Sequence, residues 1–319
     1  MNNPKAVFLD KASVFPDDLD FTTLHGIADW QWFDNAGCDD ISESIRHAEI
    51  LVTNKIVIDS GILASSKCLK LICVAATGVN NVDVAAARSR GVAVCNVRAY
   101  ATASVTQHVF SMMLALNRSL ESYREAVTQG LWSESEFFCY FGNPVSDLQG
   151  KTLGIIGYGE LGQSVAKIAE CFGMKVLVSK RDNNDTRENR VDLKTVFSTA
   201  DYLSLHCPLT EQNYHMISEQ ELALMKADAV LINTARGGLV DEYALLRALK
   251  YNEIGGAALD VLEQEPPAKD NPLLKYQAEN LIITPHIAWA SRESRQRLLD
   301  EVTENIKAFI NGEPRNLVS

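Results

Sequence analysis

Three short stretches of this chain each place a charged or titratable side chain just beyond an apolar run. Asn233-Thr234-Ala235-Arg236-Gly237-Gly238 follows Val230-Leu231-Ile232. Asp260-Val261-Leu262-Glu263-Gln264-Glu265 ends the next run with a cluster of acids and stops at Pro266-Pro267. Thr284-Pro285-His286 follows Ile282-Ile283. If the apolar runs are strands of an open α/β sheet, all three lie at strand carboxyl ends, where such sheets place ligands. An arginine there can hold a carboxylate with two parallel hydrogen bonds and stays charged at any working pH. A histidine paired with a carboxylate has its charged form stabilised, which suits reversible proton donation to a carbonyl. Each residue alone has a duller explanation: a helix cap, a solvated turn, a structural histidine. Their joint occurrence at strand ends, after the turn described next, favours chemistry.

That turn is Gly157-Tyr158-Gly159-Glu160-Leu161-Gly162, which leaves the strand-like Lys151-Thr152-Leu153-Gly154-Ile155-Ile156 and enters the helix-like Gln163 to Ala169. A first glycine permits the tight turn, a second lets the backbone approach a pyrophosphate, and a third lets helix and strand pack closely. The phosphates then sit at the helix N-terminus, where unpaired N–H groups and the dipole favour an anion. Glycine-rich turns also recur for purely structural reasons; the flanking strand and helix make a dinucleotide site the better reading here.

The elements that must position these residues alternate between strand and helix signals, the pattern of parallel sheets covered by helices. Strand candidates are Ala6–Leu9, Glu49–Thr53, Leu69–Val74, Val92–Cys95, then Lys151–Ile156, Lys175–Val178, Tyr202–Leu205, Ala229–Ile232, Gly256–Leu259 and Leu281–Ile283, with early helices over Ser42–His47 and Val82–Arg90. Val105, Val109, Met112, Met113 and Leu116 recur at helical spacing from Thr102 to about Arg118, which predicts a helix leaving a first domain for a second. A last helix, about Ser291 to Ile310, crosses back. The expected architecture is α/β: two Rossmann-like or flavodoxin-like domains with parallel sheets and an interdomain cleft, residues 1–101 with 290–319 forming one and residues 102–289 the other.

With 319 residues, 46% of them hydrophobic, the chain is long enough for two cores. A net charge of −11 argues against nucleic-acid or anionic-membrane partners, which need a basic face. The N-terminus begins almost at once with a strand and no long apolar span follows, so neither a signal peptide nor a membrane helix is expected. Seven cysteines, scattered singly, read as reduced, mostly buried thiols of a cytoplasmic protein. The adjacent His206 and Cys207 point to opposite faces of a strand and make a poor metal site. His25, His47, His108 and His215 lack ligand-spaced partners, and no metal site is expected.

The order of these motifs resembles the D-isomer-specific 2-hydroxyacid dehydrogenase family over nearly the whole chain. The carriers are the glycine turn, the stretch Asn233 to Glu242, Asp260 to Pro266 and Thr284 to His286. The resemblance implies Arg236 as the residue that orients the substrate carboxylate and polarises its carbonyl, His286 as general acid/base and Glu265 as its carboxylate partner. It assigns Ala76, Thr77, Gly78 and Val79 to substrate binding, along with Arg236 and His286; the loop's backbone N–H groups suit a carboxylate, and a ligand-free tight turn is the plain alternative. It places the cofactor at Gly157, Gly159, Glu160, Leu161, Gly162, Cys207, Pro208, Thr234, Ala235, Arg236, Asp260 and His286.

NAD-preferring relatives carry an acid about twenty positions beyond the glycine turn, where this chain has Ser179, Lys180 and Arg181. Two cations and a serine suit a 2′-phosphate, so NAD(P) use with a lean to NADP(H) is expected; a solvated turn, with Asp182 reaching the ribose, is the alternative. Within the family, Ala75 to Asp83 and Cys95 to Ser104 most resemble bacterial glycerate dehydrogenases, also called hydroxypyruvate reductases. This implies reduction of hydroxypyruvate, and of glyoxylate second, by a cytoplasmic homodimer, with the aromatic segment Leu131 to Phe141 near the dimer interface or the active-site rim. A dehydrogenase for another 2-keto acid and a dinucleotide-sensing corepressor are the competing readings.

Overall fold

In the computed structural model, residues 3–14, 16–182 and 184–318 are described. They divide into two compact units, Met1–Ala101 with Trp289–Ser319, and Thr102–Ala288.

In the first unit the chain alternates β1 (Lys5–Phe8), α1 (Thr22–His25), β2 (Asp29–Trp32), α2 (Cys38–Ser44), β3 (Ile50–Thr53), α3 (Ser60–Ser65), β4 (Leu71–Val74), α4 (Val84–Ser89) and β5 (Ala93–Cys95). The sheet order is β2-β1-β3-β4-β5 with every neighbouring pair parallel. Parallel sheets are covered on both faces, so their strands are continuously apolar. In β3, Leu51 faces a core with Ile41, Ile45 and Leu63, while Ile50 and Val52 face one with Phe8, Leu298 and Val302.

The second unit runs through α5 (Thr102–Asn117), α6 (Leu120–Thr128), β6 (Thr152–Ile156), α7 (Glu160–Cys171), β7 (Lys175–Val178), α8 (Leu193–Thr199), β8 (Tyr202–Leu205), α9 (Glu219–Leu222), β9 (Val230–Asn233), α10 (Glu242–Lys250), β10 (Gly256–Leu259) and β11 (Leu281–Ile283). Its order, β11-β10-β9-β8-β6-β7, reverses direction between β6 and β8. That switch point opens a crevice at the strand carboxyl ends, the usual ligand site of such sheets. The last helix, α11 (Arg292–Ile310), belongs to the first unit and lays Leu298, Leu299, Val302 and Ile306 into its core.

Three local features differ from the sequence-based expectations. β2 was not anticipated, because this edge strand alternates exposed and half-buried residues and carries only Trp30 and Trp32 as an apolar signal. α2 begins at Cys38 and ends at Ser44, earlier than Ser42–His47; Asp40 accepts the Gly37 N–H at 3.2 Å and starts the helix ahead of the apolar spacing. The thiols are not mostly buried: Cys73 and Cys95 are, but Cys68 and Cys171 are exposed, and all six cysteines with described side chains are free. No helix among the described residues is long and apolar enough to cross a membrane.

Candidate active site

The three chemistry-bearing loops emerge side by side. β9, β10 and β11 pair in register, Leu259 opposite both Asn233 and Ile283, so Arg236, Glu265 and His286 all lie beyond one carboxyl edge. Asn233 is fully buried and shapes the first loop: its Oδ1 accepts the Ala235 N–H at 3.0 Å and its Nδ2 donates to the Arg236 carbonyl at 2.9 Å. Arg236 is left exposed, with only Nη1 donating to its neighbour's carbonyl at 2.7 Å. Directly after it, Gly237 packs so tightly on the next loop that a Cβ would fall 1.9 Å from the Leu262 carbonyl carbon. The Arg236 loop therefore touches the segment that carries Glu265.

The end of that first motif is structural. Asp241 caps α10 by accepting the N–H groups of Tyr243 and Ala244. Buried Glu242 accepts the Glu263 N–H at 2.8 Å and the Asn271 amide at 2.7 Å, strapping the acidic segment down. Glu263 in turn accepts the Tyr214 hydroxyl and lies 3.4 Å from His215 Nε2. His215 thus has acidic neighbours that its sequence spacing did not reveal.

His286 Nδ1 lies 2.7 Å from Glu265 Oε2, both side chains about one third exposed. With Nδ1–H donating to the carboxylate, Nε2 is the nitrogen that faces away and can exchange a proton with a ligand. Glu265 is itself steadied by the Leu262 N–H, donated to Oε1 at 3.0 Å. The His286 backbone is left-handed, φ 55°, a conformation that non-glycine residues hold only when their surroundings impose it. Asp260 imposes it: its carbonyl accepts the His286 N–H at 2.8 Å, and its carboxylate accepts the N–H groups of Ile287 and Ala288 at 2.9 and 2.8 Å. The Thr284 hydroxyl donates to the same carboxylate at 2.6 Å, and His108 Nε2, from α5, lies 2.9 Å from that hydroxyl and 3.4 Å from Asp260 Oδ1. Burial raises the Asp260 pKa, but hydrogen bonds from His108, Thr284 and the Ala288 and Ile287 N–H groups outweigh it and hold the carboxyl below its usual range. The Asp260 carboxylate, expected at the cofactor, is already met by donors of the protein itself.

The glycine turn sits between β6 and α7. Gly157 has φ 93°, and a Cβ there would lie 2.5 Å from the Cys207 N; on Gly162 it would lie 2.2 Å from the Gly157 carbonyl oxygen. Gly159, at the N-cap of α7, has nothing within 4 Å of that position, so one side of the turn is open to a ligand. Glu160 accepts the Thr102 hydroxyl, and half-buried Leu161 follows it. Beyond β7, Ser179 is buried, Arg181 is exposed, and Lys180 does not stand free for a phosphate: its ammonium lies 2.9 Å from Asp192, because the chain returns alongside β7 and brings that carboxylate opposite. Beyond β8, burial pushes the Cys207 thiol pKa up, and Pro208 is exposed.

Among the described residues, four buried side-chain polar atoms have no partner: Asn96 Oδ1, Arg190 Nε, His206 Nδ1 and Thr234 Oγ1. Arg190 follows β7, while His206 and Thr234 stand just beyond β8 and β9; such orphans in a native fold call for an explanation, and a polar ligand supplies one. Gly159 open above a helix N-terminus and these unsatisfied groups fit a dinucleotide. His206, its Nε2 held 2.8 Å from Ser204, is pushed down to about 4 by burial and is neutral at working pH. No group of three or more His, Cys, Asp or Glu side chains suited to a metal occurs among the described residues.

In the first unit, the loop Ala76–Val79 follows β4. Thr77 donates its hydroxyl to the Val97 carbonyl at 2.9 Å, and Asn96 Nδ2 donates to the Thr77 carbonyl at 2.7 Å. Asn305 of α11 holds the Asn96 carbonyl at 2.9 Å. The Ala76, Thr77 and Val79 carbonyls are thus taken up inside the fold, by the Val97 N–H, Asn96 and the Val82 N–H.

Sequence reasoning named Asn233 and Glu242 only as the ends of a motif and His108 only as a surface or core residue, and it did not mention Arg190. A polar residue closing an apolar strand could have flagged Asn233; nothing in spacing singles out the others.

Residues 110–288 match the family model described as D-isomer specific 2-hydroxyacid dehydrogenase, NAD binding domain. The chain is 46% identical over 316 residues to a glycerate dehydrogenase of Methylorubrum extorquens, covering 98% of each. Among solved structures it resembles an acyclic imino acid reductase in complex with NADPH and D-Arg, with TM-score 0.87 and 31% identity over 99% of this chain and 100% of the other. It also resembles an NADPH-dependent glyoxylate/hydroxypyruvate reductase of Sinorhizobium meliloti in complex with NADP and malonate, with TM-score 0.84 and 26% identity over 100% of this chain and 97% of the other.

Proposed function

Because the chain belongs to the D-isomer specific 2-hydroxyacid dehydrogenase family, an oxidoreductase family acting on CH–OH groups, we propose that it reduces hydroxypyruvate to D-glycerate, and glyoxylate to glycolate, reversibly. The observation that carries the reading is the His286–Glu265 pair at 2.7 Å, standing on the same sheet edge as Arg236 and the glycine turn. The resemblance to the glycerate dehydrogenase and the hydroxypyruvate reductase supports this choice of substrate.

A bound nicotinamide cofactor supplies the hydride in reduction and accepts it in oxidation. Arg236 grips the substrate carboxylate and polarises the adjacent carbonyl. His286 Nε2 delivers the proton to the carbonyl oxygen as the carbon receives the hydride, and takes it back in the reverse direction. Glu265 keeps the imidazole oriented throughout, and Ala76, Thr77, Gly78 and Val79 are assigned to substrate binding in the first unit by the family resemblance. Gly157, Gly159, Glu160, Leu161 and Gly162 would hold the pyrophosphate; Ser179 and Arg181 the adenosine ribose; Cys207, Pro208, Thr234 and Ala235 the remainder. NADP(H) is the favoured form, since β7 is followed by Ser179, Lys180 and Arg181 where NAD-preferring relatives carry an acid.

The protein works as a cytoplasmic homodimer in this reading. Trp132, Phe137, Phe138 and Phe141 are 51%, 71%, 93% and 86% exposed, an apolar surface of the kind a second copy covers.

The test is loss of nicotinamide absorbance when hydroxypyruvate, glyoxylate, pyruvate or 2-ketoisocaproate is added with NADH or NADPH. Fastest turnover on hydroxypyruvate is expected. Preference for another keto acid overturns the substrate, and no turnover on any of them turns the reading toward a dinucleotide sensor.

A further inference from the structure

Beyond β7 the chain loops out and returns, so that Val191 pairs with Ser179, receiving the Lys180 N–H on its carbonyl at 2.8 Å and donating to Val178 at 3.0 Å. This return brings four cations and four acids to one sheet corner, Glu188 among the acids, and most of them are spoken for. Asp185 accepts the Arg181 N–H at 2.9 Å and both Nε and Nη2 of Arg187, at 2.7 and 2.5 Å. Asp182 accepts the Asn184 N–H, and Asp192 takes Lys180 at 2.9 Å. The cations without a carboxylate partner among the described residues are Arg181 and Arg190.

Arg190 is the better placed. Its guanidinium carbon lies 4.6 Å from the centroid of Tyr158, the residue between the first two glycines of the dinucleotide turn. Its Nε is buried with no acceptor, and Nη1 reaches only the Asn189 carbonyl at 3.3 Å. The ring holds the planar cation by a cation–π contact, so little side-chain freedom remains to be lost when an anion arrives. A phosphate monoester carries close to two charges near neutral pH and three acceptor oxygens, the complement of a guanidinium with unused donors.

We propose that Arg190, stacked on Tyr158, is the residue that selects a dinucleotide bearing a 2′-phosphate, with Arg181 as its second cation and Ser179 beneath, while Lys180 is withheld by Asp192. The proposal rests on the reading of this corner as the adenosine-ribose site and names the specificity residue within it.

The test uses the purified full chain titrated calorimetrically with adenosine 2′,5′-bisphosphate and with adenosine 5′-monophosphate, which differ in the 2′-phosphate alone. The wild type should bind the bisphosphate about tenfold or more tightly, the range of charge-assisted hydrogen bonds. Arg190→Gln should remove most of that preference while leaving monophosphate binding within about twofold, and Arg190→Lys should recover only part, because a lysine keeps the charge without the fork. Preference kept in Arg190→Gln but lost in Lys180→Gln overturns the assignment to Arg190 and leaves the NADP(H) reading standing. A wild type that binds both probes equally overturns both.

Discussion

Asp260 and His286 are joined through the backbone: the Asp260 carbonyl accepts the His286 N–H at 2.8 Å while the Asp260 carboxylate holds the two N–H groups that follow. One buried residue thus fixes the left-handed turn that presents the imidazole. Asp260→Asn keeps the shape but turns one acceptor oxygen into a donor facing an N–H or a hydroxyl. Turnover should fall about 10- to 100-fold and stability by about 1–3 kcal/mol, the cost of an unsatisfied buried group. Steady-state kinetics and denaturant titration measure the two separately; unchanged values in both would disprove the clamp.

His286→Gln removes the proton donor but can keep a hydrogen bond to Glu265. Turnover should drop roughly 10²- to 10⁴-fold. Arg236→Ala should instead raise KM for the keto acid as well as lower kcat, since it grips the ground-state carboxylate. Wild-type-like kinetics in both variants would remove the mechanism.

His108 reaches this turn from α5. The Thr284 hydroxyl spends its one proton on Asp260 at 2.6 Å, so it accepts from His108 Nε2–H at 2.9 Å. His108→Leu should cost about 1–2 kcal/mol at this network, read as roughly tenfold in kcat, and His108→Gln should restore most of it by supplying a donor. Equal kinetics for the two variants would mean that the donor has no role.

Gly237→Ala forces a methyl to within 1.9 Å of the Leu262 carbonyl carbon, where the neighbour is backbone and cannot rotate away. The expected loss is about 3 kcal/mol or more, at or beyond ordinary overpacking, together with displacement of the Arg236 loop from the segment at Leu262. A melting temperature within a degree or two of wild type would contradict the packing described.

His206 sets a pH dependence of stability. Its folded pKa, lowered to about 4 by burial, lies below the ordinary unfolded value near 6.5, so the unfolded chain takes up a proton first as pH falls. Stability is full above about pH 6.5, declines through the interval and levels off below 4, a loss of ~3 kcal/mol at most. Urea midpoints between pH 7 and 4 should slope less for His206→Gln than for the wild type; identical slopes would assign the acid sensitivity elsewhere.

The alternation of strands and helices and the order of the loop motifs could be read from the chain, because parallel strands buried on two faces leave apolar runs too regular to miss. β2 could not, since an edge strand with one half-covered face writes a weak signal at Asp29–Trp32. Arg236 and His286 stand out as residue types at strand ends, and Glu265 is singled out from a run of acids only by the family resemblance; the reasons they hold their shape could not be read. Glu242 straps a loop 21 residues away and His108 braces one 176 away, distances over which no local pattern carries information. Lys180 shows the converse: its position beside Arg181 suggested a phosphate ligand, and only the returning chain at Asp192 reveals that its charge is already matched.

The return of α11 to the first unit has a bearing on synthesis. Phe8, Val52 and Leu71 emerge early, yet the side chains that cover them, Leu298, Leu299, Val302 and Ile306, come last. On the ribosome the second unit, whose residues 102–288 are contiguous, can complete its core while the first still carries an apolar sheet face. The half of the protein translated first is therefore the half that matures last. For some 200 residues of elongation, or roughly 10–40 s at ordinary rates, that face waits for its own chain to cover it.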